Sequence, residues 1–124
     1  MFRFPKKQKI CSKNSIETLF ASGSVISQKP FKLIWKFEEN RDKVAVKSLI
    51  IVPKKRIKLA KDRNIIKRKV SEAYRLQKKE IELVLDHKNQ HLNLALLYQY
   101  DKLLNYTVLE QKINLLLQRL INKI

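Results

Sequence analysis

Residues 53–79 read Pro53-Lys-Lys-Arg-Ile-Lys-Leu-Ala-Lys-Asp-Arg-Asn-Ile-Ile-Lys-Arg-Lys-Val-Ser-Glu-Ala-Tyr-Arg-Leu-Gln-Lys-Lys79. Within this stretch Leu59, Ile66, Val70, Ala73 and Gln77 fall on one stripe about 80° wide at roughly 100° per residue, and the spacing predicts a helix from about Leu59 to Glu82. Before it, residues 44–52 are rich in β-branched side chains and end at Pro53, which cannot donate to a ladder, so they read as a strand. After it, His87–Asn93 is polar enough for a loop, and Leu94–Tyr100 reads as a further buried strand. A strand, a long helix and a second strand over residues 44–100 form a crossover connection, and such a unit layers helix on sheet.

Nearer the N-terminus, Asn14 with Glu17 three residues later marks a helix start, with Ser12 competing for the cap. Ile16, Leu19 and Phe20 then share a face, and Gly23 stands where a C-terminal glycine would end a helix of about 13–22. Phe31, Leu33, Trp35 and Phe37 alternate with Lys32, Ile34 and Lys36, the pattern of a strand with one buried face. The polar turn at 38–43 suggests an antiparallel hairpin between that strand and residues 44–52, and Ser24–Ser27 could supply a short edge strand. Thr107 with Glu110 reads as a capping box opening a last helix, whose Leu109, Ile113, Leu116, Leu117, Leu120 and Ile124 make an apolar face. The order is α-β-β-(β)-α-β-α. This is an α+β fold with a single sheet of about four strands, leaving room for an unusual βαβ crossover, in one domain over 1–124. Residues 1–8 are basic, without periodicity, and read as an extended N-terminal arm.

The chain has 124 residues, and its 28 Lys+Arg against 11 Asp+Glu give a net charge of +17. Self-repulsion of that size destabilises a compact state, so a polyanion is the expected partner. A membrane is not expected as that partner. No apolar run approaches the ~20 residues of a spanning helix, and the start of the chain lacks a signal-type apolar segment. A single cysteine, Cys11, suits a reducing cytoplasm. With Gly23 the only glycine there is no phosphate-binding loop, and no paired acids or triad spacing emerge, so protein-borne catalysis, a small-molecule substrate and a tightly bound cofactor are not expected. His87 and His91 have the spacing of a helical metal pair but lie in a polar stretch with Asp86 as the nearby acid, and read as solvated.

Twelve of the 27 residues from Pro53 to Lys79 are Lys or Arg, and only Asp62 and Glu72 are acidic. Opposite the apolar stripe, Lys61, Asn64, Arg68, Arg75 and Lys79 project at helical spacing, flanked by Lys67, Lys69 and Lys78. A basic helix face is often simply solvated. Here the excess is unbalanced by acids, and the face suits a run of phosphates, which guanidinium groups can bind bidentately.

The run Ala60-Lys-Asp-Arg-Asn-Ile-Ile-Lys-Arg-Lys-Val-Ser-Glu-Ala-Tyr-Arg75 resembles the signature helix of the ribonuclease P protein family, approximately A-x-x-R-N-R-x-K-R-x-x-R-E-x-[FY]-R. Ala60, Arg63, Asn64, Lys67, Arg68, Glu72, Ala73, Tyr74 and Arg75 match that pattern. Val52-Pro-Lys-Lys55 is similar to the strand end that precedes it, and Ile16-Glu-Thr-Leu-Phe-Ala-Ser-Gly23 to the family's first helix. Three motifs in the right order span about residues 9–80. Ile65 and Ser71 stand where the family usually has arginines, and Ile16 where it usually has Phe.

The resemblance implies a non-catalytic protein subunit of an RNA enzyme that removes the 5′ leader of precursor tRNA, with magnesium bound mainly by the RNA. It implies two partners, ribonuclease P RNA and precursor tRNA; the last helix is expected to pack on the sheet rather than on a second copy, so the free protein is expected to be monomeric. Lys54, Lys55, Lys61, Arg63, Asn64, Lys67, Arg68 and Arg75 would then contact the catalytic RNA. Phe20 and Ile16 would line the leader cleft, with Lys32 and Lys36 tracking the leader's phosphates; the residues alone equally allow Phe20 a core place beside Leu19, and the alternating strand pattern assigns Trp35 to the core. The residues alone leave open another small basic RNA binder such as a ribosomal protein, a metal-dependent nuclease, or a DNA binder with the 60–79 helix in a major groove.

Overall fold

The computed structural model describes residues 9–10, 12–39 and 43–124, so the arm expected at 1–8 and Cys11 lie outside the described residues. Among the described residues eight elements follow one another: α1 (Lys13–Ser22), β1 (Ser24–Gln28), β2 (Phe31–Phe37), β3 (Val46–Ile51), α2 (Ala60–Gln77), α3 (Lys79–His87), β4 (Leu92–Tyr98) and α4 (Tyr106–Lys123). The fold is α+β, with one mixed sheet in the order β1-β2-β4-β3.

Strand β4 explains that order. Leu92, Leu94 and Leu96 enter the main core, while Ala95 packs into a second cluster on the opposite face. A strand that is apolar on both sides is best placed at the centre of a sheet covered on both faces. There β4 runs antiparallel to β2, pairing Leu33 with Leu96, and parallel to β3, pairing Leu49 with Ala95.

The hairpin expected between β2 and β3 therefore does not form, because β4 lies between them. The antiparallel hairpin partner of β2 is β1, which the sequence suggested only as a short edge strand, with Ile26 opposite Leu33. The parallel β3–β4 pair confirms the crossover through α2 and α3.

Helices α2, α3 and α4 cover one face. Ile66, Val70, Ala73 and Tyr74 of α2, Ile81 and Leu85 of α3, and Leu109, Ile113, Leu116, Leu117 and Leu120 of α4 share the main core with Ile26, Phe31 and Leu33. On the other face Leu19 of α1 meets Ile34, Ala95 and Ile10, with Ile16 and Leu49 packed beside them. Strand β2 is thus apolar toward both layers at Ile34, where simple alternation predicted solvent.

Local signals moved several boundaries. The side chain of Ser12, not Asn14, caps α1 by accepting from Ser15 N at 3.3 Å. Gly23 ends α1 in extended conformation (φ −71°, ψ 154°), so it is needed for closeness rather than for a left-handed turn. A Cβ there would lie 2.4 Å from Leu19 O and 2.8 Å from Ile34 Cγ2.

The helix expected over 59–82 is two helices meeting at Lys78, and its core stripe continues through Ile81 and Leu85. Leu59 leaves that stripe, 59% exposed at the cap of α2. His87 is the last residue of α3 rather than part of a loop. Helix α4 is capped by Asn105, which accepts from Val108 N at 3.0 Å, so the Thr107–Glu110 box is not used. Strand β4 starts at Leu92 and takes in Asn93, a buried polar residue whose Nδ2 donates to Glu38 Oε2.

Candidate nucleic-acid interface

The segment between β3 and α2 is a built turn rather than a free linker. The amides of Arg56 and Ile57 both donate to Pro53 O at 3.1 Å, and the Ile57 side chain is buried in the main core. Arg63, one turn into α2, reaches back so that its Nη1 donates to Ile57 O at 3.0 Å and to Lys58 O at 2.8 Å. Those two carbonyls fix the loop that presents Lys54, Lys55 and Lys58 to solvent. Arg56 pairs with Asp101 at 3.3 Å, tying the same loop to the segment after β4.

Along α2, Lys61, Asn64, Lys67 and Arg68 are all exposed. Arg75 lies half-buried further along the helix, its Nε and Nη2 donating to the two carboxylate oxygens of Glu72 at 3.2 and 2.5 Å. That hydrogen bond, more than the accompanying charge attraction, holds the Glu72 carboxyl below its ordinary range and the Arg75 guanidinium above its own. Of the residues expected to meet RNA, six (Lys54, Lys55, Lys61, Asn64, Lys67 and Arg68) thus lie exposed on one continuous loop-and-helix surface. Arg63 is engaged in shaping that surface, and Arg75 is already matched by an acid. Lys69 turns instead to the segment after β4, its Nζ 3.4 Å from Leu104 O.

Tyr74 has a role that the stripe in the sequence did not reveal. It is fully buried, and its hydroxyl accepts from Ser48 Oγ at 2.7 Å, tying α2 to β3. Burial pushes its phenol well above the ordinary tyrosine range. Its sequence signals were its match to the aromatic position of the signature helix and its place next to Ala73 on the core side.

The other expected face is where α1 lies across β2. Lys32, Ile34 and Lys36 alternate onto it, and Ile34 packs with Leu19 and the half-buried Ile16. Phe20 stands 42% exposed on the same helix. Lys36 Nζ donates to Ser22 Oγ at 2.7 Å, which ties the strand to the end of α1. The structure therefore brings Ile16, Phe20, Lys32 and Lys36 onto one side of the sheet, opposite to α2. Trp35 points to the main core, half-buried and edge-on to Phe37 at 5.4 Å. His91 Nδ1 lies 3.0 Å from Glu39 Oε2, and among the described residues no group of three His, Cys, Asp or Glu is arranged to hold a metal ion. No helix among them is long and apolar enough to cross a membrane.

A four-stranded mixed sheet, a cationic loop and helix on one face and an aromatic-bearing short helix on the other define a small basic α+β protein with two separate polar faces. The family model for ribonuclease P matches residues 4–120. The chain belongs to the ribonuclease P protein family. It is 27% and 29% identical, over 110 and 111 residues, to the ribonuclease P protein components of two Porphyromonas gingivalis strains, covering 89% of this chain and 80% of each relative. Its fold is similar to that of the Staphylococcus aureus RNase P protein (18% identity, TM-score 0.72, covering 91% of this chain and 94% of that one). It is also similar to that of the RNase P protein from Thermotoga maritima (17% identity, TM-score 0.70, covering 90% and 96%).

Proposed function

We propose that the chain docks on ribonuclease P RNA through the 53–59 loop and α2, and holds the 5′ leader of precursor tRNA where α1 crosses β2. The observation that carries this reading is the exposed row of Lys54 and Lys55, on a loop fixed by Arg63, and Lys61, Asn64, Lys67 and Arg68 on α2. In this reading the RNA, with its magnesium ions, cuts the leader, and the protein acts by placing charge and holding substrate in the cytoplasm.

The physics of the two faces differs. On α2, each phosphate neutralised releases condensed counterions, so affinity falls steeply with salt. On the α1 side an aromatic face can stack any base, worth about 1–3 kcal/mol per base, which suits a leader of variable sequence. Lys32 and Lys36 add phosphate attraction beside it. Because the faces lie on opposite sides of one sheet, the protein can touch catalytic RNA and substrate together, and a charge of +17 lowers the repulsion between those two polyanions.

Binding of the cognate ribonuclease P RNA measured from low to moderate salt tests the docking face. Arg68→Ala should reduce the slope of log K against log salt by about 0.7–0.9. An unchanged slope would remove Arg68 from the phosphate contacts.

A further inference from the structure

The segment after β4 separates two pockets. On one side Asp101 and Leu103 close a basic cleft against Lys55–Leu59 and Asp62, where Arg56 is already paired. On the other side Gln99, Tyr100 and Leu104 face Lys29 and Pro30 of the β1–β2 turn and Val108 and Lys112 of α4. This second pocket is a cavity of about 330 Å³ with mostly apolar walls. Small-molecule sites range over roughly 300–1,000 Å³, so it has room for one planar base with its sugar and phosphate toward the open mouth.

Its polar groups are unspent. Among the described residues the side chains of Lys29, Tyr100 and Lys112 enter no hydrogen bond or ion pair, and no acid lines the pocket. Tyr100 is 41% exposed, which leaves its ring available at the mouth. A wall of Pro30, Leu104 and Val108, an open phenol ring and two free ammonium groups match one kind of ligand: a flat aromatic base carrying a phosphate. Leu104 also links the pocket to the docking face, because its carbonyl receives Lys69 Nζ of α2.

We propose that this pocket binds a single nucleotide, its base against Tyr100 and Leu104 and its phosphate between Lys29 and Lys112. The nucleotide can come from an RNA held on α2, in which case the site rests on the docking reading above, or from free nucleotide in solution. The site is distinct from both faces assigned so far.

Adenosine monophosphate is the probe, titrated into the full chain and followed by backbone amide shifts, with ribose 5-phosphate as the control without a base. The expected result is saturable shifts at Tyr100, Leu104, Val108 and Lys112 with adenosine monophosphate, weak ones with ribose 5-phosphate, loss in Tyr100→Ala and retention in Tyr100→Phe. Shifts spread over the basic surface and identical in Tyr100→Ala and Lys112→Gln would overturn the proposal.

RNA binding then identifies the source. If the ligand is an RNA nucleotide, Tyr100→Ala weakens ribonuclease P RNA binding about five- to a hundredfold with an unchanged salt slope, because stacking releases no counterions. Wild-type RNA affinity in Tyr100→Ala, with adenosine monophosphate binding lost, assigns the pocket to free nucleotide. Failure of the docking reading would instead show as wild-type chain that does not bind the RNA, which leaves the adenosine monophosphate result standing by itself.

Discussion

Replacing Tyr74 with phenylalanine removes one oxygen from the seam between α2 and β3 and leaves ring packing in place. That oxygen accepts from Ser48 Oγ at 2.7 Å, with Tyr74 fully buried and Ser48 only 3% exposed. The variant strands a buried hydroxyl, which costs about 1–3 kcal/mol, whereas removing both partners together is close to neutral. Against a typical domain stability of about 5–15 kcal/mol, such a loss is easily measured. The assay is urea unfolding of the parent, Tyr74→Phe, Ser48→Ala and the double variant. Tyr74→Phe should lower the midpoint with no change in the dependence on urea, and the double variant should be more stable than the summed single losses predict by about 1 kcal/mol or more. The salt slope of RNA binding should not move, since no cation is lost. Additive losses, or a Tyr74→Phe protein as stable as the parent, would refute the claim that this bond seats the basic helix on the sheet.

Phe20→Ala should weaken binding of precursor tRNA by about five- to a hundredfold in the assembled enzyme while leaving mature tRNA unchanged; equal losses for both would remove Phe20 from the leader site. Gly23→Ala should destabilise the chain by about 1–3 kcal/mol through overpacking, because its Cβ would lie 2.4 Å from Leu19 O; a neutral result in thermal melts would contradict that approach. Burial holds the Tyr98 phenol up at about 12 against an ordinary 10.0, so the unfolded chain releases this proton first. Its contribution to stability is therefore intact below pH 10 and falls between pH 10 and about 12. Unfolding at pH 9 and pH 11.5 should show the parent losing stability relative to Tyr98→Phe, and a constant difference would count against the burial of that hydroxyl.

Periodicity was a good guide wherever one face of an element decides its place. Ile66, Val70 and Ala73 of α2, Phe31 and Leu33 of β2 and the patterned leucines of α4 lie in the core where their spacing puts them, while Leu59 and Phe37, at the ends of their patterns, stay exposed. Strand order was not legible, because residues 38–43 look like a hairpin turn and only the packing of Ala95 and Leu94 on opposite faces shows that β4 must be central. Caps were misplaced by two residues since Ser12 and Asn14, or Asn105 and Thr107, are equally able to accept an amide. The basic row was legible as charge, but not the division of labour within it. Only the folded 53–59 loop shows that Arg63 meets backbone carbonyls, and only side-chain direction shows Arg75 meeting Glu72. The pocket beside Tyr100 left no trace in sequence, because its walls come from three separate segments.

On the proposed function, this protein assists an RNA enzyme in removing the leader of precursor tRNA. Leader cleavage at low magnesium, with cognate ribonuclease P RNA alone, the protein alone and the two together, tests it most directly. Efficient cleavage is expected from the mixture only, with the advantage over RNA alone shrinking as magnesium rises and screens the phosphates. Cleavage by the protein alone, or a mixture no faster than the RNA by itself at low magnesium, would contradict it.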